Sequence, residues 1–136
     1  MKKLTVALLC LLALISCKKT EFSPKGPSEV RIENQTIRAF YDVIYRTSEE
    51  DMDVDTIAYI GPQQITNYVR FSKAFPKLDV KLKMYKNGVL TTYSTGAVDF
   101  TYMQYMGQDR LTYKISVDSE DKLVMSVVVE EPLVVK

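Results

Sequence analysis

The chain contains no histidine and only two cysteines among its 136 residues. Without histidine, the Ser-His-Asp and Cys-His arrangements of nucleophilic catalysis lack their general base, and zinc sites lose one of their two preferred ligand types. The sequence also has neither a Gly-x-Ser-x-Gly elbow nor a glycine-rich phosphate loop. A non-catalytic domain is therefore expected, with no cofactor. A hydrolase that works with a pair of carboxylates stays open as the alternative.

An excess of charge of either sign is also missing. The chain has 18 basic and 17 acidic side chains, a formal net charge of +1. Proteins that bind nucleic acid normally carry a basic stripe or patch. No nucleic-acid partner is therefore expected.

Long apolar runs are limited to residues 4–15, which follow Lys2 and Lys3 and end at Ser16. This pattern is typical of a signal peptide over residues 1–16, and it is shorter than the ~20 residues of a membrane span. The sequence Leu14-Ile15-Ser16-Cys17 resembles the lipobox of bacterial lipoproteins. The resemblance implies cleavage before Cys17 and lipid on its sulfur, which would anchor the protein to a membrane. The alternative is an ordinary secretory signal with a chance cysteine.

Cleavage at this position would leave Cys17 as the sole cysteine, so no disulfide is expected. Residues 17–28 contain Pro24, Gly26 and Pro27 and predict a flexible tether. In bacterial lipoproteins, an aspartate directly after the cysteine is a signal for retention in the inner membrane, and this chain has Lys18 at that position. Bacteroidetes-type lipoproteins that are displayed on the cell surface have an acid-rich segment after the cysteine, and Lys18-Lys-Thr-Glu21 does not match it. The resemblance thus implies an outer-membrane location facing the periplasm, with surface exposure as the alternative.

Residues 29–136 predict a single all-β domain, because β-branched and aromatic residues recur between regularly spaced turn signals. Asn87-Gly88 predicts a type I′ hairpin turn, and Asp118–Asp121 predicts a second hairpin loop. Val80, Leu82 and Met84 alternate with lysines, as in a strand with one buried face. Leu111, Tyr113, Ile115 and Val117 alternate with polar residues in the same way. This number of short strands favours a β-sandwich. The predicted strands cover residues 30–34, 39–47, 54–60, 66–71, 78–85, 89–93, 98–105, 111–118 and 122–130.

Several of these segments together resemble small lipoproteins of the Bacteroidetes type, whose function is unknown. The resemblance rests on the runs Val30-Arg-Ile-Glu-Asn34, Tyr41-Asp-Val43, Ile60-Gly-Pro62, Asn67-Tyr-Val69, Phe71-Ser-Lys-Ala-Phe75, Val98-Asp-Phe100 and Leu111-Thr-Tyr-Lys114. It implies one compact sandwich of the immunoglobulin or transthyretin kind, and it carries over no functional residue. The expected function is a membrane-anchored, non-catalytic binding or structural module that contacts a protein or glycan of the cell envelope. The alternatives are a carboxylate-dependent hydrolase and a calcium-binding domain of the adhesion type.

The acidic segment 49–55 is the first candidate for chemistry. Asp51, Asp53 and Asp55 have the alternate spacing that begins a calcium loop. Thr56 and Pro62, however, stand where an EF-hand needs glycine and glutamate. The alternative is a solvated loop or a charged strand edge.

The second candidate is a cluster of aromatic and methionine side chains that could bind a sugar or a partner protein. Tyr102 and Tyr105 are an odd step apart, so a regular strand would expose at least one of them. The alternative is that these residues belong to the core. The candidate residues are Tyr102, Met103, Tyr105 and Met106. Ser119 and Lys122 have Ser-x-x-Lys spacing, but they fall in the second predicted hairpin and are expected to be solvated.

Overall fold

The computed structural model describes residues 27–132, with side chains up to residue 130. The predicted signal peptide, Cys17 and nearly all of the predicted tether lie outside these residues. The described part is all-β, as predicted, and holds no helix long and apolar enough to cross a membrane. Its strands are β1 (Ser28–Asn34), β2 (Phe40–Arg46), β3 (Val54–Ile60), β4 (Val69–Phe71), β5 (Asp79–Lys86), β6 (Val89–Ser94), β7 (Asp109–Val117) and β8 (Leu123–Pro132).

The eight strands form two four-stranded sheets that pack as a sandwich. The first sheet has the order β4-β1-β7-β8 and the second has the order β3-β2-β5-β6. β1 and β7 run parallel, and the other neighbours run antiparallel. An immunoglobulin domain places its first two strands in one sheet, whereas β1 and β2 lie in different sheets here. The topology therefore favours the transthyretin-like of the two expected sandwich types.

The predicted alternation in β5 and β7 is what builds the core. Val80, Leu82 and Met84 are fully buried, whereas Lys81 is exposed. On β7, Leu111, Tyr113 and Ile115 are fully buried, while Val117 is only partly buried. Thr112, predicted to be in water, is buried, and its hydroxyl accepts a hydrogen bond at 2.9 Å from Nε of Arg31, its neighbour on β1.

Both predicted hairpins are confirmed. Asn87 and Gly88 have φ angles of 51° and 77°, the left-handed pair that a type I′ turn requires. In the second hairpin, the Asp118 backbone N–H donates to the Lys122 carbonyl at 2.9 Å. Ser119 is exposed within that turn, as expected for a solvated residue.

One predicted strand, over residues 98–105, is wrong. Residues 95–108 form the connection by which the chain leaves β6 in one sheet and enters β7 in the other. The Met103 N–H donates to the Phe100 carbonyl at 3.1 Å in a tight turn. Because aromatic residues have the same β propensity whether or not a partner strand is available, composition alone predicted a strand where packing forms a loop.

Candidate functional site

The β6–β7 loop packs at one end of the sandwich, which we call the loop end. The β2–β3 and β4–β5 connections reach the same end. The Thr47 hydroxyl donates to the Lys73 carbonyl at 2.8 Å, and the Met106 N–H donates to the Ala74 carbonyl at 2.9 Å. These hydrogen bonds fix the three connections relative to one another.

Between these connections lies a depression of about 550 Å³, the aromatic pocket. Phe75 and Phe100 are buried, and their rings stack with centroids 4.9 Å apart. The ring of Tyr105, which is half-buried, lies 4.8 Å from that of Phe75. Two carboxylates, from Glu49 and Asp99, also line the pocket. The pocket is lined by Glu49, Phe75, Val98, Asp99, Phe100, Thr101, Met103 and Tyr105.

Lys73 forms ion pairs with the acidic residues beside the pocket. Lys73 Nζ lies 3.0 Å from the Glu50 carboxylate and 3.5 Å from that of Glu49. It also lies 5.2 Å from the centre of the Tyr105 ring, within cation–π range. The hydrogen bond to Glu50, followed by that to Tyr105, raises the pKa of Lys73. This ammonium therefore stays charged and holds the acidic β2–β3 loop against the aromatic residues.

Asp99 is exposed, and its carboxylate oxygen accepts a hydrogen bond from the backbone N–H of Thr101 at 3.0 Å. The hydrogen bonds from the Thr101 side chain and backbone lower the pKa of Asp99. Asp99 is thus an anionic hydrogen-bond acceptor at neutral pH.

Two of the four predicted binding residues line the pocket, namely Met103 and Tyr105. Met106 instead packs against the hydrophobic core. Tyr102 is 93% exposed and does not line the pocket. Phe75 was missed because it lies between two strands, and nothing in its neighbourhood distinguishes a pocket residue from a core residue.

The structure does not bring Asp51, Asp53 and Asp55 together as the calcium prediction requires. Within residues 27–132, no group of three or more Asp, Glu, His or Cys side chains is placed to hold a metal ion. Asp51 is exposed, and Asp55 accepts a hydrogen bond from the Tyr45 hydroxyl at 3.2 Å. Asp55 therefore bonds to a tyrosine hydroxyl, and Asp51 lies in solvent, instead of sharing a metal ion.

Asp53 is buried and ties the β2–β3 loop to the segment after β4. Its carboxylate accepts hydrogen bonds from the hydroxyls of Ser48 and Ser72, both at 2.6 Å, and from the Ser72 N–H at 2.7 Å. The Lys73 N–H adds a fourth at 3.2 Å. Asp53 is therefore a structural acceptor that joins two connections at the loop end.

A second charged cluster lies at the opposite end of the sandwich, around Asp121. Its carboxylate is 2.6 Å from Lys86 Nζ, 2.9 Å from the Tyr93 hydroxyl and 3.1 Å from Arg38 Nη2. The hydrogen bonds from Lys86, Tyr93 and Arg38 lower the pKa of Asp121 to about 2. Since these groups satisfy one another, the cluster fits a structural role.

No protein-family model matches the chain, and no curated protein sequence matches it. Among solved structures, the chain is similar to an NMR structure of a protein from Eubacterium rectale, at 15% sequence identity and a TM-score of 0.42. The likeness covers 79% of this chain and 92% of that one.

Proposed function

We propose that the protein is a lipid-anchored component of the bacterial cell envelope whose β-sandwich binds a glycan in the aromatic pocket. The observation that carries the binding proposal is the pocket itself, which is lined by the half-buried ring of Tyr105 and by the carboxylates of Glu49 and Asp99. Sequence features carry the anchoring proposal, which rests on Cys17 and the apolar run before it.

The composition of the pocket suits a sugar. The Tyr105 ring is half-buried and contacts buried Phe75, and its exposed part provides apolar surface for the C–H face of a sugar ring. Glu49 and Asp99 provide acceptors for its hydroxyl groups, which are hydrogen-bond donors. A volume of about 550 Å³ is within the range of small-molecule sites.

The position of the pocket is compatible with a tethered domain. The Ser28 hydroxyl, at the start of β1, donates to the carbonyl of Gly107 in the β6–β7 loop. The chain thus enters the sandwich at the loop end, beside the pocket. An anchor on Cys17 would place the tether and the ligand at the same end of the domain.

A hydrolase that uses two carboxylates is the second candidate, because Glu49 and Asp99 line one pocket. Such an enzyme needs one carboxyl group with a raised pKa to act as the acid. Thr101 instead lowers the pKa of Asp99, and Glu49 is ion-paired with Lys73. The arrangement therefore supports binding better than hydrolysis.

The binding proposal is tested by calorimetric titration of the full chain in mild detergent with a panel of neutral and acidic oligosaccharides. We expect at least one to bind, and Tyr105→Ala and Asp99→Asn to weaken that binding at least tenfold. Tyr102→Ala is the matched control, because Tyr102 is in the same loop but does not line the pocket. Equal affinities for Tyr105→Ala and Tyr102→Ala would contradict the site. Release of reducing ends from the bound sugar would favour the hydrolase.

The anchoring proposal is tested separately by replacing Cys17 with serine. We expect the native protein to fractionate with membranes and to incorporate labelled lipid, and Cys17→Ser to lose the label. An unlabelled native protein would contradict lipidation without affecting the pocket.

A further inference from the structure

Three tyrosines form a row on the outer face of the β3-β2-β5-β6 sheet. They are Tyr59 on β3, Tyr41 on β2 and Tyr85 on β5, which are neighbouring strands. The Tyr41 ring meets Tyr59 and Tyr85 edge to face, with centroids 5.4 and 5.6 Å apart. Tyr59 and Tyr85 are 53% and 50% exposed. We call these three side chains the tyrosine row; none of them lines the aromatic pocket.

A bulge in β2 shapes the surface next to the row. Asp42 has a φ angle of 48°, and the β2–β5 register shifts between Tyr41 and Ile44. Beside the bulge is a depression of about 320 Å³ lined by Asp42, Val43, Ile44, Thr56, Ile57 and Ala58. Bulges often redirect side chains at functional places in a sheet. The tyrosine row therefore borders a shallow hollow.

Asp42 and Lys83 lie beside the row and neutralise each other, and exposed Lys81 lies two residues before Lys83 on β5. Asp42 and Lys83 form an ion pair at 3.0 Å, with 61% and 41% of their side chains exposed. Thr92 lies opposite Lys83 in the β5–β6 register and is exposed. A carboxylate, an ammonium group and a hydroxyl can donate to and accept from sugar hydroxyls. Their balanced charge complements an uncharged ligand.

The side chains of the row offer a small surface. Half of a tyrosine's surface is about 100 Å², so the row with exposed Ile44 and Leu90 presents about 400 Å². Two strand spacings give the row a length of about 10 Å, which suits adjoining sugar rings.

A tyrosine beside the other sheet, Tyr68, is covered by charged side chains and differs in this from the tyrosine row. Tyr68, which precedes β4, lies beneath Arg31, whose Cζ is 4.6 Å from the ring centre. Arg110 lies 5.4 Å from the same ring. Tyr68 is thus covered by guanidinium groups, whereas the tyrosines of the row contact one another and keep half of Tyr59 and Tyr85 in solvent.

We infer that the tyrosine row is a separate binding surface for an uncharged polysaccharide. Sugar rings stack on Tyr59 and Tyr85, and their hydroxyls bond to the Asp42–Lys83 pair. This inference does not depend on the aromatic pocket.

The test is electrophoresis of the full chain, in mild detergent, through gels that contain a soluble β-glucan, xylan or mannan. We expect at least one of these neutral polymers to retard the protein. Tyr59→Ala and Tyr85→Ala should each weaken this retardation at least tenfold. Tyr68→Ala and Tyr102→Ala are the matched controls for loss of a tyrosine, because neither residue belongs to the row or lines the aromatic pocket. Both controls should be retarded like the native protein.

Four results would overturn the inference. The first is that none of the three neutral polymers retards the protein, and the second is that only the acidic polymer alginate does. The third is that Tyr59→Ala is retarded like the native protein. The fourth is that the native protein self-associates and Tyr59→Ala does not. The last would identify a second copy of the chain as the occupant. Thermal unfolding of each variant checks its fold. In the native protein, tyrosine-ring NMR signals of the row should shift when oligosaccharides of the retarding polymer are added; unshifted row signals also contradict the inference.

Discussion

At the scale of single residues, Asp53 shows how a charged side chain is stabilised in a protein without disulfides in its described part. A buried carboxylate loses its hydration, and this cost is offset only when protein donors replace the water. Ser48, Ser72 and Lys73 supply those donors from two separate connections. The carboxylate therefore holds the β2–β3 loop to the segment after β4.

We expect Asp53→Ala to lower the free energy of unfolding by about 2–4 kcal/mol, because it leaves several buried donors unpaired. Urea unfolding followed by circular dichroism measures the change. Asp51→Ala is the matched control, since this neighbouring aspartate is exposed and should change stability by less than about 0.5 kcal/mol. Similar losses in the two variants would show that the hydrogen bonds of Asp53 contribute little.

The sequence could not distinguish this role from a calcium ligand. Alternating aspartates begin calcium loops, but aspartate also bonds to nearby backbone in turns. The deciding contact comes from Ser72, which lies 19 residues further along the chain. Only the tertiary fold brings that donor to Asp53.

At the scale of strands and loops, local pattern predicted most of the sandwich. Alternation identified β5 and β7, and Asn87-Gly88 identified the hairpin between β5 and β6. Two features depend on distant contacts instead. The parallel pairing of β1 with β7 brings together residues from the beginning and near the end of the domain sequence. The conformation of the β6–β7 loop depends on its packing against the β4–β5 connection. The pocket could not be predicted for the same reason, because Glu49, Phe75 and Asp99 come from three different connections.

Asp121 links three elements, so its titration reports on their docking. It lies in the β7–β8 hairpin and bonds to Lys86 at the end of β5, to Tyr93 of β6 and to Arg38 before β2. Its folded-state pKa of about 2 is below the unfolded value of about 3.9. The unfolded state therefore binds the proton first as pH falls. The stabilisation from Asp121 is complete well above pH ~4 and is lost as pH falls towards ~2.

We expect Asp121→Asn to be less stable than the native protein near neutral pH, with a difference that shrinks between about pH 5 and pH 2. Urea unfolding at a series of pH values measures this difference. Asp51→Asn, which changes an exposed carboxylate, should show no comparable trend. A difference for Asp121→Asn that stays constant over this range would mean that the ion pairs do not stabilise the fold.

At the scale of the whole molecule, the core and the aromatic pocket are joined through one hydrogen bond. Tyr113 is fully buried in β7, and its hydroxyl donates to the carbonyl of Phe75. Burial raises the pKa of Tyr113, so the phenol stays protonated and available as a donor. Phe75 in turn contacts both Phe100 and Tyr105. The central strand of the first sheet thereby positions the pocket, while the tyrosine row lies on the outer face of the second sheet.

We expect Tyr113→Phe to lower the free energy of unfolding by about 1–2 kcal/mol, because the Phe75 carbonyl loses a buried donor. The same change should weaken oligosaccharide binding in the aromatic pocket several-fold and leave polysaccharide binding at the tyrosine row unchanged. Tyr45→Phe is the matched control: it also removes a hydroxyl from a buried tyrosine, but one that donates to Asp55 in the other sheet. Urea unfolding and calorimetric titration compare the two variants. If both weaken pocket binding equally, general loss of stability explains the effect; if Tyr113→Phe alone does, the hydrogen bond to Phe75 positions the pocket.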